Sequence, residues 1–229
     1  MGVYVTGDTH GTKYLAKILP KNLEKYEKGD IIFITGDFGL IYRCANEELE
    51  EKYLRVLNES GLVFCFIDGD RENYDRLAKY PVTQWNGGKV HKIKENIYHL
   101  LRGEIYTVDD KKILCLGGAS TVFKERTIEH RTWWKEENIS EADINNALYN
   151  LKLRNMKVDY ILTHTCPLNA GFMIQEDEID ALKLQDENCL KLEKIYENAE
   201  FKKWYFGHFH KDIELDDKFT CVFQSVIKI

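Results

Sequence analysis

Val5-Thr6-Gly7-Asp8-Thr9-His10-Gly11 carries an apolar strand straight into a carboxylate and an imidazole flanked by glycines. The same pattern recurs along the chain. Ile34-Thr35-Gly36-Asp37-Phe38-Gly39 ends a second apolar run, and Ile67-Asp68-Gly69-Asp70-Arg71-Glu72-Asn73 ends a third. Leu162-Thr163-His164-Thr165 and Phe206-Gly207-His208-Phe209-His210 close two later ones. The runs themselves, Val3–Thr6, Ile31–Thr35, Leu62–Ile67, Asp159–Thr163 and Lys203–Phe206, read as strands. Strands that are apolar on both faces belong in a buried, largely parallel sheet. The C-terminal ends of such strands share one edge, and ligands bind there. Asp8, His10, Asp37, Asp70, His164, His208 and His210 are therefore expected to converge, with glycines permitting tight turns and close backbone approach.

Outward from these motifs, helical patterns separate the strands: Lys13–Leu19, a charged amphipathic helix over Asn46–Glu59, and a short helix near Asn73–Lys79. Pro81–Lys94 reads as a turn-rich excursion around Trp85-Asn86-Gly87-Gly88. Ile97–Leu100, Glu104–Val108 and Lys112–Leu116 then read as a meander into a second sheet, with Asp109-Asp110 as a turn. Gly117–Asn138 is expected to be loop. Ser140–Arg154 is a helix with Ser140 as N-cap. Glu178–Asn198 reads as one long helix, and Asp216-Asp217 turns a final hairpin. Neither repeat nor linker interrupts the 229 residues, so one domain over 1–229 is expected.

Composition narrows the function. A net charge of −6 argues against sequence-independent nucleic-acid binding, which rests on Lys and Arg neutralising phosphates. No apolar run approaches the roughly 20 residues that span a bilayer, and the N-terminus lacks a signal peptide's basic start. Six cysteines, Cys44, Cys65, Cys115, Cys166, Cys189 and Cys221, show no C-x-x-C spacing. Free thiols in a reducing cytoplasm are the expectation, without a membrane partner.

The converging side chains mix oxygen and nitrogen donors and exclude thiolates, which argues against a structural zinc finger. They are too many for one ordinary ion and suit two divalent metals sharing a bridging carboxylate. Manganese is the first candidate, with iron, zinc or nickel as alternatives, because ligand type alone does not decide among them.

The ordered set GDTHG, GDFG, GDREN, THT and GHFH, spanning residues 8 to 210, resembles the calcineurin-like metallophosphoesterase family. Leu116-Gly117-Gly118-Ala119-Ser120 also resembles a stretch of its small bacterial and phage members. The resemblance implies an α/β fold, a four-layer β-sandwich flanked by α-helices. It implies that Asp8, His10 and His210 hold one metal, that His164, His208 and Asp70 hold the other, and that Asp37 bridges. It further implies a metal-dependent phosphoric ester hydrolase in which metal-bound hydroxide attacks phosphorus in line, acting on a small phosphorylated or nucleotide substrate.

The chain departs from the family at one place, where Gly-Asn-His-Glu becomes Gly69-Asp70-Arg71-Glu72. Asp70 still offers oxygen but adds a negative charge, and Arg71 returns a positive one, so the two read as a compensated pair. A guanidinium stays charged and is a poor proton donor, yet it binds phosphoryl oxygens well. Arg71, with Asp37, is therefore the candidate catalytic residue, and diesters with good leaving groups or anhydrides are the expected substrates. A phosphomonoesterase or protein phosphatase, a nuclease of the same fold, and a metal- or phosphate-binding pseudoenzyme are the rival readings.

Among the remaining residues, His130 and Arg131 are candidate substrate contacts, His130 as a substitute proton donor. Arg126, Trp133 and Trp134 share that loop and read equally as packing. His91 and His99 read as strand or surface residues, Cys166 as a passive neighbour of His164, and Glu72 and Asn73 as helix-start or orienting residues.

Overall fold

The computed structural model describes residues 1–19, 26–42 and 47–229. Strands β1 (Val3–Thr6), β2 (Ile31–Ile34) and β3 (Val63–Phe66) pair in parallel, with Val5 opposite Phe33 and Phe33 opposite Cys65. α1 (Glu47–Asn58) connects β2 to β3, and α2 (Tyr74–Leu77) follows β3. β4 (Val82–Trp85) and β5 (Gly88–Lys94) form an antiparallel hairpin. β5 pairs antiparallel with β6 (Ile97–Leu100), which runs parallel to β3.

The second sheet begins with the antiparallel pair β7 (Glu104–Val108) and β8 (Lys111–Leu116). α3 (Glu141–Lys152) leads to β9 (Tyr160–Thr163), parallel to β8. α4 (Leu168–Ile174), α5 (Glu178–Leu184) and α6 (Glu187–Asn198) precede β10 (Lys203–Phe206), parallel to β9. β11 (Ile213–Glu214) and β12 (Phe219–Cys221) finish that sheet. β13 (Val226–Lys228) returns to the first sheet, antiparallel to β1. Among the described residues the sheets hold seven and six strands.

The two-residue period of a strand sorts its side chains into layers. Ile31 and Phe33 enter the core between the sheets, which also takes Val3, Val5, Ile113, Cys115 and Leu162. Ile32 and Ile34 face the other way, into a core with Leu54 and Leu57 of α1 and Leu77 of α2. The outer face of the second sheet packs under α3 to α6 through Leu114, Ile161, Leu151 and Leu192. Helix, sheet, sheet and helix make four layers. Each fully buried Phe, Leu or Ile contributes roughly 1.5–3 kcal/mol of transfer free energy.

Several local expectations change. Pro81–Lys94 is not an excursion but mainly the β4–β5 hairpin, and Ile97–Leu100 completes the first sheet rather than leading into the second. Asn86 and Gly87 both take left-handed backbone (φ 47 and 92), as a two-residue hairpin turn of the primed type requires. Glu178–Asn198 is two helices, because Asp177 caps α5 and Asp186 caps α6 by accepting from Asn188 N at 2.9 Å. Lys13–Leu19 holds one 3-10 turn, Leu15–Ile18. Asn46, the expected start of α1, and Cys44 lie outside the described residues. Cys65, Cys115, Cys166, Cys189 and Cys221 are buried free thiols. Among the described residues, no helix is long and apolar enough to cross a membrane.

Candidate metal centre

Asp8 and His10 follow β1, Asp37 follows β2, Asp70 follows β3, His164 follows β9, and His208 and His210 follow β10. All these strand ends open on one edge of the sandwich. Asp8, His10 and His210 form one group whose donor atoms lie within 4.8 Å of one another, and Asp70, His164 and His208 form another. Asp37 lies between them. Its Oδ2 is 3.3 Å from His10 Nδ1, and its Oδ1 is 3.4 Å from His164 Nε2. In the first cup His210 Nε2 is 3.0 Å from Asp8 Oδ2 and 2.8 Å from His10 Nε2. In the second, Asp70 Oδ1 is 3.5 Å from both His164 Nε2 and His208 Nδ1.

The backbone is bent to achieve this. His10, Asp37, His208 and His210 have φ of 47, 51, 63 and 56, in the left-handed region that residues with a Cβ seldom adopt. Such strain persists where surrounding structure over-determines it, as at functional sites. A Cβ on Gly69 would stand 2.3 Å from Asp37 Oδ1 and 2.7 Å from His164 Nε2. One on Gly207 would stand 2.2 Å from Asp8 Oδ1. Glycine beside these carboxylates is what lets the strand ends close on one another.

Outer contacts aim the donors. His164 Nδ1 donates to Thr35 O at 2.8 Å, which turns Nε2 toward Asp37 and Asp70. His208 N–H donates to Asp8 Oδ1 at 3.1 Å, and Arg71 N–H to Asp37 Oδ1 at 2.9 Å. The His210 ring stacks on Phe223, centroids 4.8 Å apart. Buried Glu72 accepts from Gly69 N at 2.6 Å and Gly39 N at 3.2 Å, tying two loops, while Asn73 caps α2.

The carboxylates and imidazoles of the two cups perturb one another's charge. Burial, then repulsion from Asp70, pushes the Asp37 carboxyl well above its ordinary range. Burial would lower His164, but Asp37, Asp70 and Asp8 raise it well above the usual imidazole value. Burial pushes His10 down to about 4. His164 Nε2 is buried and makes no hydrogen bond, although two carboxylate oxygens face it. Hard oxygen and imidazole nitrogen donors in this arrangement fit two divalent cations.

A family model described as calcineurin-like phosphoesterase matches residues 1–212. The chain belongs to the calcineurin-like phosphoesterase family. As a member it is a metal-dependent phosphoric ester hydrolase. The protein TT1561 of Thermus thermophilus shares the fold at 13% identity and a TM-score of 0.50, over 96% of this chain and 87% of that one. A Staphylococcus aureus protein provisionally named a 5'-nucleotidase, solved with alpha-ketoglutarate, aligns at 17% identity and a TM-score of 0.49. That alignment covers 96% of this calcineurin-like chain but 48% of the other. No curated protein matches the sequence.

Around the cups of this phosphoesterase, Arg71 lies between two cavities. One of about 470 Å³ reaches His10, His210, Lys13 and Leu40. The other, about 240 Å³, is walled by the 121–132 loop. Neither is lined by His130 or Arg131. His130 Nδ1 instead pairs with Asp75 Oδ2 at 3.0 Å, where Trp134 Nε1 also donates at 2.8 Å. Trp134 is buried packing, and Arg126 does line the smaller cavity. Cys166 is buried in the helix-side core, and burial raises its thiol well above the ordinary value, which suits packing rather than nucleophilic attack. His99 joins a buried network with Asp68 (3.1 Å) and His91 (3.0 Å).

Sequence reading missed the cations behind the site. Arg102 donates to Asp68, Asn138 O and Glu137 O, joining the Asp70 loop to the 117–138 loop. Lys17 donates to the carbonyls of Gly7 (2.8 Å), Asp8 (2.9 Å) and Phe223 beneath the first cup. Lys183 donates to the His208 carbonyl. A basic residue inside an otherwise apolar helical turn, Leu15–Ile18, was the available signal for Lys17.

Proposed function

We propose that the chain is a phosphodiesterase with a dinuclear centre, manganese being the first candidate ion. Asp8, His10 and His210 hold one ion, Asp70, His164 and His208 the other, and Asp37 joins them. The carrying observation is that the two oxygens of Asp37 face different cups, Oδ2 toward His10 at 3.3 Å and Oδ1 toward His164 at 3.4 Å. Two divalent ions held there supply an activated water at neutral pH and polarise the phosphoryl oxygens.

The chain's own groups then set the preference. Arg71 keeps its charge, lines both cavities, and is 42% exposed, so its guanidinium is available to phosphoryl oxygens. It cannot protonate a leaving group. Among the described residues lining these cavities, the imidazoles are His10 and His210, both assigned to the first cup. Without a spare imidazole, leaving groups of low basicity are favoured, and the two cavities suit a phosphorus bearing two substituents. A small phosphodiester or phosphoanhydride, such as a nucleotide derivative, is the substrate class.

Hydrolysis of bis(4-nitrophenyl) phosphate and of 4-nitrophenyl phosphate by the manganese-loaded protein tests this reading. Preference for the diester, reduced in Arg71→Ala, is the expected result. A monoester preference untouched by Arg71→Ala would overturn it.

A further inference from the structure

The smaller cavity beside Arg71 is walled by Tyr42, Thr121, Phe123, Arg126 and Thr127. Phe123 is its unusual member. The residue is 42% exposed, and its backbone has φ 60 and ψ 47. A bulky residue in the left-handed region is a genuine outlier. Here burial of the ring does not compensate the strain, because the side chain is presented to solvent at the cavity.

The segment that presents it is anchored on both sides. Thr121 donates its N–H and its hydroxyl to the two oxygens of buried Glu137, each at 2.8 Å. Beyond Phe123, Arg126 N–H donates to Phe123 O at 2.9 Å, and Thr127 N–H to Lys124 O at 3.0 Å. The Lys124 ammonium sits 3.6 Å from the centre of the Trp133 ring. The Arg126 guanidinium lies 4.7 Å from the Phe123 ring centre. With the guanidinium over its ring, the exposed Phe123 forms a layered cation–aromatic pair at the cavity, on which a further aromatic group can stack. Arg71, on the shared wall, reaches from this cavity to Asp70 at 3.2 Å and so to the candidate metal cups.

We propose that the cavity under Phe123 and Arg126 is a subsite for a planar aromatic substituent of the phosphoester, of nucleobase or aryl type, while Arg71 holds the phosphoryl group. The inference deepens the phosphodiesterase reading and rests on it for the phosphoryl position. The stacking surface itself rests on Phe123 and Arg126. Stacking of one base on an aromatic side chain changes affinity about tenfold or more.

Phosphonates separate binding from turnover because they are not hydrolysed. Affinities of phenylphosphonate and methylphosphonate for the manganese-loaded protein are measured by calorimetry. The wild type is expected to prefer the phenyl compound by about tenfold. Phe123→Ala, and Phe123→Leu, which keeps apolar bulk but loses the ring, are expected to reduce that ratio to near one. Phe172→Ala removes an exposed aromatic of α4 and is expected to keep it. A ratio near one in the wild type, or a preference that survives both Phe123 variants, would overturn the subsite. Bis(4-nitrophenyl) phosphate turnover on the same preparations keeps the two readings apart. No metal-dependent turnover with a phenyl preference lost in the variants sinks the hydrolytic reading alone. Turnover without any phenyl preference sinks the subsite alone.

Discussion

Arg71 Nε stands 3.2 Å from Asp70 Oδ2, so the guanidinium is tied to the carboxylate of its own neighbour. Burial would raise Asp70, but its contacts with His164 and His208 and the charge of Arg71 hold it well below the ordinary carboxylate range. The extra negative charge of the second cup therefore comes with its own counter-charge. Asp70→Asn alone leaves Arg71 unpaired, and Arg71→His alone leaves the added carboxylate uncompensated. Each single change is expected to lower diester kcat/KM more than the double change does, with a coupling of at least about 0.5 kcal/mol. Additive effects in the double-mutant cycle would show that the two residues act independently.

Close approach at Gly69 gives a second prediction. A methyl group there meets Asp37 Oδ1 and the His164 ring well inside contact distance. Gly69→Ala is expected to reduce diester turnover about a hundredfold, the size of loss that a displacement of roughly 1 Å produces. Circular dichroism should show the same secondary structure. Wild-type turnover in this variant would mean that Asp37 and His164 need not sit where they do.

Arg102 predicts a stability effect with a defined pH dependence. Burial would raise Asp68, but the charge of Arg102, followed by His99, holds its carboxyl well below the ordinary range. A depressed folded pKa gives stability that is present above the unfolded value near 3.8 and is lost as pH falls below it. Arg102→Ala breaks a buried pair and is expected to lower stability by about 3–5 kcal/mol in urea unfolding at pH 7. The gap between wild type and variant should narrow below about pH 4. An unchanged gap at low pH would remove Asp68 from the explanation.

Lys17 holds three backbone carbonyls under the first cup, including that of Asp8. Burial pushes its amine down to about 8. Lys17→Met leaves those acceptors unpaired and is expected to cost about 1–3 kcal/mol. Equilibrium dialysis should also show weaker binding of one manganese equivalent. Loss of stability with unaltered metal affinity would make Lys17 a purely structural prop.

The strand ends were legible because each is a run of apolar residues stopped by a carboxylate or an imidazole, behind glycine in four of the five and behind Thr163 at His164, a pattern independent of tertiary context. Asp8, His10, Asp37, Asp70, His164, His208 and His210 meet for that reason. The hairpin over Val82–Lys94 carried a readable signal, Asn86-Gly87, that composition around Pro81 obscured. The break at Asp186 was hidden because an acidic residue suits a helix surface as well as a cap. His130 was placed by proximity in sequence to charged residues, whereas its partner, Asp75, comes from α2. Arg102 and Phe123 depend on contacts that span tens of residues or on a φ angle, and neither leaves a periodic trace.

Diester hydrolysis measured against bound manganese per chain, from metal-stripped to saturated protein, with Asp37→Asn alongside, tests the shared centre most directly. Turnover that rises only as the second equivalent binds, and that is lost in Asp37→Asn, is the result predicted. Full turnover with one ion or none, or with Asp37→Asn, would contradict a dinuclear centre joined by Asp37.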